Sequence, residues 1–499
     1  MSQLKENENN SLQFSCSLDK ATIQSGLDNN GKLSGCFKEL ALMQLKDPGV
    51  AKTKLNFKSE DIPLFMQSYG YVVSPWPIVI DQHVQAKLQE MCATMPGIFN
   101  KVLRQVAKQD RAFLLEYLNI NELQLDLALQ RDIDTRDIVA RWDAIFSNGQ
   151  IKLIEINVGS MIGGLHMACL SDQMLNLLKQ YSVSKNWDLV DRNGFDKFFN
   201  SVNQSIARLK GRNATGKSAY FLPVKAQQGF DVETVESLKE FLKREYKQQL
   251  PEHLQETGDL FFCNAIEKLD FRADKKLYFD DVELDAIILS ADGDEQIPRA
   301  LYSLLEAGVA AGGQYYFPDS ISYTLLGIKL LFGLIQEPKI QHLLTDEERL
   351  MISKFIPFTT RLCSDFSFYN GKLTPVKQII EQEKDRLVIK KSVSMQGKDV
   401  MIGRAVSQQE WLSFYQQYKD DPDWLLQEMC IPDKYISADP VNGVDTYKMN
   451  WGVFSFAGNY SGTMIRGMPQ SGSDIVNSAQ GAVEFAVLEE QKYKNKITL

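Results

Sequence analysis

The segment RWDAIFSNGQIKLIEINV (141–158) constrains the fold more than any other part of the chain. Two alternating apolar runs flank Ser147-Asn148-Gly149, and Asn-Gly between such runs is a strong hairpin signal. Residues two apart on a strand share a face, so Glu155 and Asn157 stand side by side. The direction of Asp143 depends on the loop. A two-residue Asn-Gly loop puts it opposite Ile154, on the wrong face. A three-residue loop, Ser147-Asn148-Gly149 with Gly149 left-handed in a bulge, puts it opposite Leu153 and on the face of Glu155 and Asn157. The three-residue loop is therefore expected. Two carboxylates and an amide oxygen suit Mg²⁺, which shares its shell with phosphates and water. The ordinary alternative is a solvated hairpin face. Against it, Glu155 and Asn157 interrupt LIEINV, a strand that otherwise reads as buried.

The length of 499 residues exceeds one hydrophobic core and predicts two to four packed subdomains. A hydrophobic content of 44% with 24% charged residues describes a soluble globular enzyme. The net charge of −9 excludes a nucleic-acid partner as the main business, since phosphate backbones are held by excess Lys and Arg. Cys16, Cys36, Cys92, Cys169, Cys263, Cys363 and Cys430 form no CxxC pair, and their number is odd. That is neither a disulfide framework nor a zinc site, and it reads as buried thiols in a reducing compartment. The four histidines show no metal-ligand spacing. The polar start MSQLKENENNS lacks the apolar core of a secretory signal, and its first ten or so residues are expected to be unstructured. The apolar run Leu325–Ile335 is interrupted by Lys329 and is too short to span a bilayer. A cytoplasmic enzyme with no membrane partner is the expectation.

Four regions follow along the chain. Residues 1–95 form an N-terminal region, with strand-like VVSPWPIVI and helical patterning from Val84 to Cys92. Residues 96–210 hold a second helical stretch, Lys101–Leu118, and the hairpin. In 211–340, AYFLPV, a helix over Val232–Gln249, DLFFCNAI, the hairpin LYFDDVELDAIIL and a helix over Pro298–Ala310 alternate, which predicts a parallel, helix-covered sheet. Region 341–499 holds DRLVIKKSV, VMIGRAV, a helix over Gln408–Tyr418, WLLQEMCI and an antiparallel stretch from Lys448 to Gly467.

Three further constellations carry candidate chemistry. In LVIKKSVSMQGKDVMIG (387–403), Lys390 ends an apolar run before a turn containing Gly397. Such a hairpin can fold over phosphates while its lysine reaches them as a point charge. In WLLQEMCI, the polar break at Gln427 and Glu428 suits a hinge strand whose backbone reads an adenine edge. Arg466 leaves a strand before a Gly/Ser-rich loop containing Asn477, a position that suits an anionic transition state. Taken singly, each has an ordinary reading as a snorkelling lysine, an edge strand or a surface arginine.

Together these segments resemble the ATP-grasp superfamily, in which a nucleotide is held between two α+β lobes and a strand pair ending in Glu-x-Asn carries magnesium. In the usual order the lysine loop comes first. Here it follows the Glu-x-Asn hairpin, as in the circularly permuted group that includes glutathionylspermidine synthetase and carboxylate–amine ligases. The segments GGQYYFPDSISYTLLGIKLLFGLI (312–335) and IPFTTRL (356–362) are similar to the family as well. The resemblance implies an α+β fold: a permuted ATP-grasp with an inserted α/β, parallel-sheet domain over 211–340, its metal half in 96–210 and its nucleotide half in 341–499. It implies Asp143, Glu155 and Asn157 as magnesium ligands, Lys390 at the phosphates beneath Gly397, Gln427, Glu428, Met429 and Cys430 as the adenine hinge, and Arg466 at the transferring phosphate. Lys391 stands where the family has proline, which leaves open which of Lys390 and Lys391 faces the phosphates. Lys377 is a candidate for the second nucleotide lysine. The implied reaction uses ATP and Mg²⁺ to join a small-molecule carboxylate to an amine through an acyl phosphate, in a monomer or a homodimer. A phosphotransferase, or a nucleotide-binding protein without turnover, are the rival readings.

Overall fold

A computed structural model describes residues 18–192, 194–223, 231–290, 297–394 and 399–491. The first ten residues and Gly397 lie outside the described residues. The largest element is an eight-stranded sheet built from both ends of the chain. Across it run Ile78–Ile80, Val483–Glu490, Asn459–Pro469, Gly443–Phe456, Ala140–Ser147 and Gln150–Val158. Lys434–Asp439 adds to Gly443–Phe456, and Leu189–Asp191 to Val483–Glu490. Ile78–Ile80 pairs parallel to its neighbour, while the other pairings are antiparallel. Gly443–Phe456 is buried along almost its whole length, as befits a strand in the middle of a sheet covered on both faces.

The helical patterning read as two pieces is one helix, Gln82–Gln109, followed by Arg111–Leu118. Pro96 lies inside the long helix, where it forfeits a backbone hydrogen bond at a cost of roughly 3 kcal/mol. Burial of Val84, Leu88, Met91, Met95, Phe99, Val102 and Val106 along one stripe outweighs that, since tertiary packing supplies most helix stability. The break falls at Asp110, whose side chain caps Phe113.

The smaller sheets fall in sequence between the N-terminal and C-terminal strands of the large one, and two of them matter most for the site. Thr359–Arg361, Trp424–Glu428, Leu387–Lys391 and Val400–Ile402 form a four-stranded antiparallel sheet. Helices Val376–Gln382 and Gln408–Tyr418 pack with it around a core of their own, and Trp411 Nε1 donates to the Ile380 carbonyl at 3.0 Å. Ala286–Leu289, Lys217–Phe221 and Asp259–Cys263 form the expected parallel sheet, with helices Val232–Gln248 and Arg299–Ala310. The six cysteines among the described residues are unpaired. No helix among those residues is long and apolar enough to cross a membrane.

Candidate active site

The hairpin at 140–158 closes differently from the expectation. Ser147 pairs with Gln150, so the loop is the two residues Asn148 and Gly149, with φ of 52° and 71°. Both are left-handed, as a tight primed turn requires. The expected three-residue loop is therefore corrected. The reason is distant in sequence: the Asp433 carboxylate accepts from the N–H of Asn148 at 2.9 Å and of Gly149 at 2.8 Å, which fixes the tight turn. A two-residue loop alone would turn Asp143 away. A bulge restores it: Ala144 pairs with Leu153, but Asp143 pairs with Glu155, and Ile154 is left over. Asp143, Glu155 and Asn157 consequently share one face.

That face continues across the sheet. Asp143 pairs with Gly452, Asn450 with Arg466, and Arg466 with Glu484. Arg466 Nη2 reaches over the intervening strand to Asp143 Oδ2 at 2.7 Å. Gly452 keeps the path open, since a Cβ there would lie 3.0 Å from Arg141 Cδ. Arg141 Nε donates to Asp143 Oδ1 at 2.9 Å, and Asn157 Nδ2 approaches the same oxygen at 3.4 Å. Asp143 is 2% exposed. Burial alone would raise its pKa, but Arg141 and Arg466 outweigh it and hold the carboxyl well below the usual range.

The four-stranded sheet and the 325–335 run supply the opposing cations. Lys390 is buried and donates from Nζ to the Ile154 carbonyl at 2.6 Å. Burial lowers its pKa to about 8, with Glu155 pulling the other way. Lys391, next on the strand, faces the opposite side by strand alternation, so Lys390 is the lysine turned toward the hairpin. The second lysine at this place is Lys329, not Lys377. Lys329 Nζ lies 3.3 Å from Glu155 Oε2 and 3.3 Å from the Ser394 carbonyl. Lys377 stands exposed on its helix, 3.8 Å from Glu381. The signal for Lys329 was its isolation as the one charge in the apolar run 325–335.

The hinge residues are only in part available to a ligand. Gln427 is buried and donates to Thr359 Oγ1 at 3.0 Å. The Glu428 N–H is taken by the Phe358 carbonyl and the Met429 N–H by that of Arg386. Among the described residues no hydrogen bond engages the Cys430 N–H, which leaves it as the free backbone donor of this segment. The Cys430 thiol is pushed up to about 12 by burial and by Glu428, so it is no nucleophile.

Among the described residues no group of three or more His, Cys, Asp or Glu is placed to hold a metal. Asp143 is committed to two guanidinium groups, leaving Glu155 and Asn157 as the oxygen donors. That pair fits a Mg²⁺ that takes most of its shell from phosphates and water, rather than an all-protein cage. Asn450 Oδ1, Arg466 Nε, Ser392 Oγ and Ser394 Oγ are buried without a hydrogen-bond partner among the described residues. Orphaned polar atoms on facing elements point to a polar ligand between them.

No family model matches the sequence, and no curated protein matches it at a significant level. The fold is similar to that of a glutathione synthetase-like effector from Globodera pallida, in its apo form. The two share 13% identity and a TM-score of 0.52, over 94% of this chain and 98% of that one. A putative gamma-glutamylcysteine synthetase from Methylobacillus flagellatus overlaps less, with a TM-score of 0.33 at 11% identity over 79% and 88% of the chains. The first likeness is one of fold: a mixed α/β architecture of several sheets, shared along nearly the whole of both chains.

Proposed function

We propose that this chain is an ATP-dependent ligase that joins a carboxylate to an amine through an acyl phosphate, on an ATP-grasp whose halves are permuted along the sequence. The observation that carries the reading is the meeting of Lys390 and Lys329 with Ile154 and Glu155. Two cations, from the four-stranded sheet and the 325–335 run, close directly on the Glu-x-Asn hairpin, and a triphosphate would take over their contacts. The fold shared with a glutathione synthetase-like protein supports the same reading. In it, Lys390 and Lys329 bind phosphate oxygens, and the Cys430 N–H reads the base. Arg466 and Arg141 hold the carboxylate being activated and the charge that develops on the transferring phosphoryl group. Asp143 orients both arginines. Glu155 and Asn157 would hold Mg²⁺, which neutralises phosphate charge when bound. The parallel sheet of 217–289 is the inserted domain of this scheme, and the unpaired cysteines suit the reducing cytoplasm.

The test is ADP release with hydroxylamine as acceptor, over a panel of amino-acid and small-peptide carboxylates. A ligase passing through an acyl phosphate yields a hydroxamate. Phosphorylation of a hydroxyl compound without hydroxamate would make the chain a kinase instead.

A further inference from the structure

Glu484 stands next to Arg466 in the sheet, as its direct cross-strand partner, yet the scheme above gives it no task. It is 3% exposed. Its Oε2 accepts from Tyr69 Oη at 2.6 Å and lies 3.3 Å from His166 Nε2, while Oε1 accepts from Ser478 Oγ at 2.7 Å. The His166 and Tyr69 rings lie 4.6 Å apart. Three side chains from three separate segments thus converge on one buried carboxylate, and none of them is Lys or Arg. Burial would raise Glu484, but His166, Tyr69 and Ser478 outweigh it and keep it below its ordinary value. It is therefore an acceptor at neutral pH. In the neutral imidazole this contact places the proton on Nε2, which leaves the Nδ1 lone pair free.

The histidine belongs to the same space as the arginines. The loop after the hairpin lies over this face of the sheet: Arg141 Nη1 donates to the Gly163 carbonyl at 3.0 Å, and a Cβ on Gly164 would stand 2.5 Å from Met464 Cγ. Met464 lies on the Arg466 face of its strand, two residues away. The His166 side chain keeps 23% of its surface exposed, so it is open to solvent on the side away from Glu484. Arg466, with its unpartnered Nε, is the cross-strand neighbour of Glu484, and Asn450, with its unpartnered Oδ1, lies one strand further on the same face. A carboxylate that fixes the tautomer of a part-exposed histidine beside an anion-binding arginine is the arrangement of an oriented general base.

We propose that His166 takes the proton from the incoming amine, with Glu484 as the residue that positions it; this rests on the ligase reading above. The substrate amine arrives as an ammonium ion and passes one proton to His166 Nδ1. Its freed lone pair then forms the C–N bond at the acyl carbon as the C–O bond to phosphate breaks. The second amine proton leaves with the phosphate as hydrogen phosphate. The imidazolium, held by Glu484, returns its proton to solvent.

Hydroxylamine separates the steps, because it is already unprotonated at neutral pH and needs no base. The full chain with ATP and Mg²⁺ is assayed on the carboxylate panel with hydroxylamine, and in parallel with amino-acid and alkylammonium acceptors. His166→Asn is expected to keep hydroxamate formation within about threefold of the parent. Its amide formation falls roughly a hundredfold or more at neutral pH and recovers as pH rises and the free amine accumulates. Glu484→Gln shifts the same ratio by a smaller factor. Equal loss in both assays, or loss in neither, would overturn the proposal. His166→Gln serves as the second variant, and a circular dichroism melt of each shows that it is folded. If the parent chain gives no hydroxamate at all, the ligase reading itself falls.

Discussion

Lys390 donates a 2.6 Å hydrogen bond to the carbonyl oxygen of Ile154, the hairpin residue that the register shift leaves without a cross-strand partner. The two are 236 residues apart in sequence. A bulge frees one carbonyl from the ladder, and a buried ammonium needs an acceptor. One insertion therefore meets both needs: it turns Asp143 onto the face of Glu155, and it gives Lys390 a partner before phosphate arrives.

Nucleotide affinity should fall as pH rises above about 8. Burial lowers Lys390 to about 8 in the free protein, and anionic phosphates favour its charged form. The complex thus holds the proton to higher pH than the free protein does. Affinity is at its full value below pH 8 and then declines, by up to about tenfold per unit, until Lys390 titrates in the complex too. Titration calorimetry at pH 8.5 in buffers of different ionisation enthalpy should register proton uptake on binding a non-hydrolysable ATP analogue. Lys390→Gln should bind weakly and take up none; uptake persisting in that variant would assign it to another group.

Two carboxylates paired with each other beside the same bulge should behave oppositely. Glu155→Gln leaves Lys329 with its carbonyl contacts, so folding should survive while turnover falls at least a hundredfold and the magnesium requirement rises. Asp143→Asn strips the countercharge from two nearly buried guanidiniums. Breaking a buried pair in that way costs about 3–5 kcal/mol, and chemical denaturation should show it. A Glu155→Gln protein with parental activity at ordinary magnesium would remove Glu155 from the site.

Arg466→Lys should lower turnover by one to several orders of magnitude, because a point charge cannot reproduce the planar fork. Arg466 spans from Asp143 toward Glu484, and lysine can satisfy one of those neighbours at a time. ATP affinity should change much less than the rate. The reverse pattern, weak binding with an unchanged rate per bound complex, would make Arg466 a ground-state contact.

Local patterns in the chain predicted local structure well, and failed where a distant residue decides. Asn148-Gly149 announced the hairpin, and the helix Gln408–Tyr418 falls where it was expected, opened by a Ser407–Glu410 capping box. The length of the hairpin loop was not legible, because Asp433 sets it from 284 residues away. Nor was the bulge: a single extra residue leaves the alternation on either side unchanged, and only the pairing of Asp143 with Glu155 reveals it. Lys329 read as a blemish in an apolar run because the partners that explain it, Glu155 and the 392–394 backbone, lie far along the chain. The long helix was legible only as two pieces, Val84–Cys92 and Lys101–Leu118, although its buried stripe runs on through Pro96.

Deleting Ile154 separates the two tasks of the bulge. Without it the two-residue turn runs into a regular ladder, in which Ser147 still faces Gln150, Ala144 still faces Leu153 and Asp143 still faces Glu155. No side chain changes face, because the residue lost is the one that had no partner. Ile154 is only half-buried, so little apolar contact goes with it. The protein should therefore fold, and its Asp143–Arg466 pair should persist. Lys390, however, loses its acceptor, and the lysine sheet loses its hydrogen bond to the hairpin. ATP-analogue affinity is expected to fall about tenfold, with hydrogen exchange rising across 387–391. Parental exchange and affinity in the Ile154 deletion would mean that the Lys390 contact closes nothing.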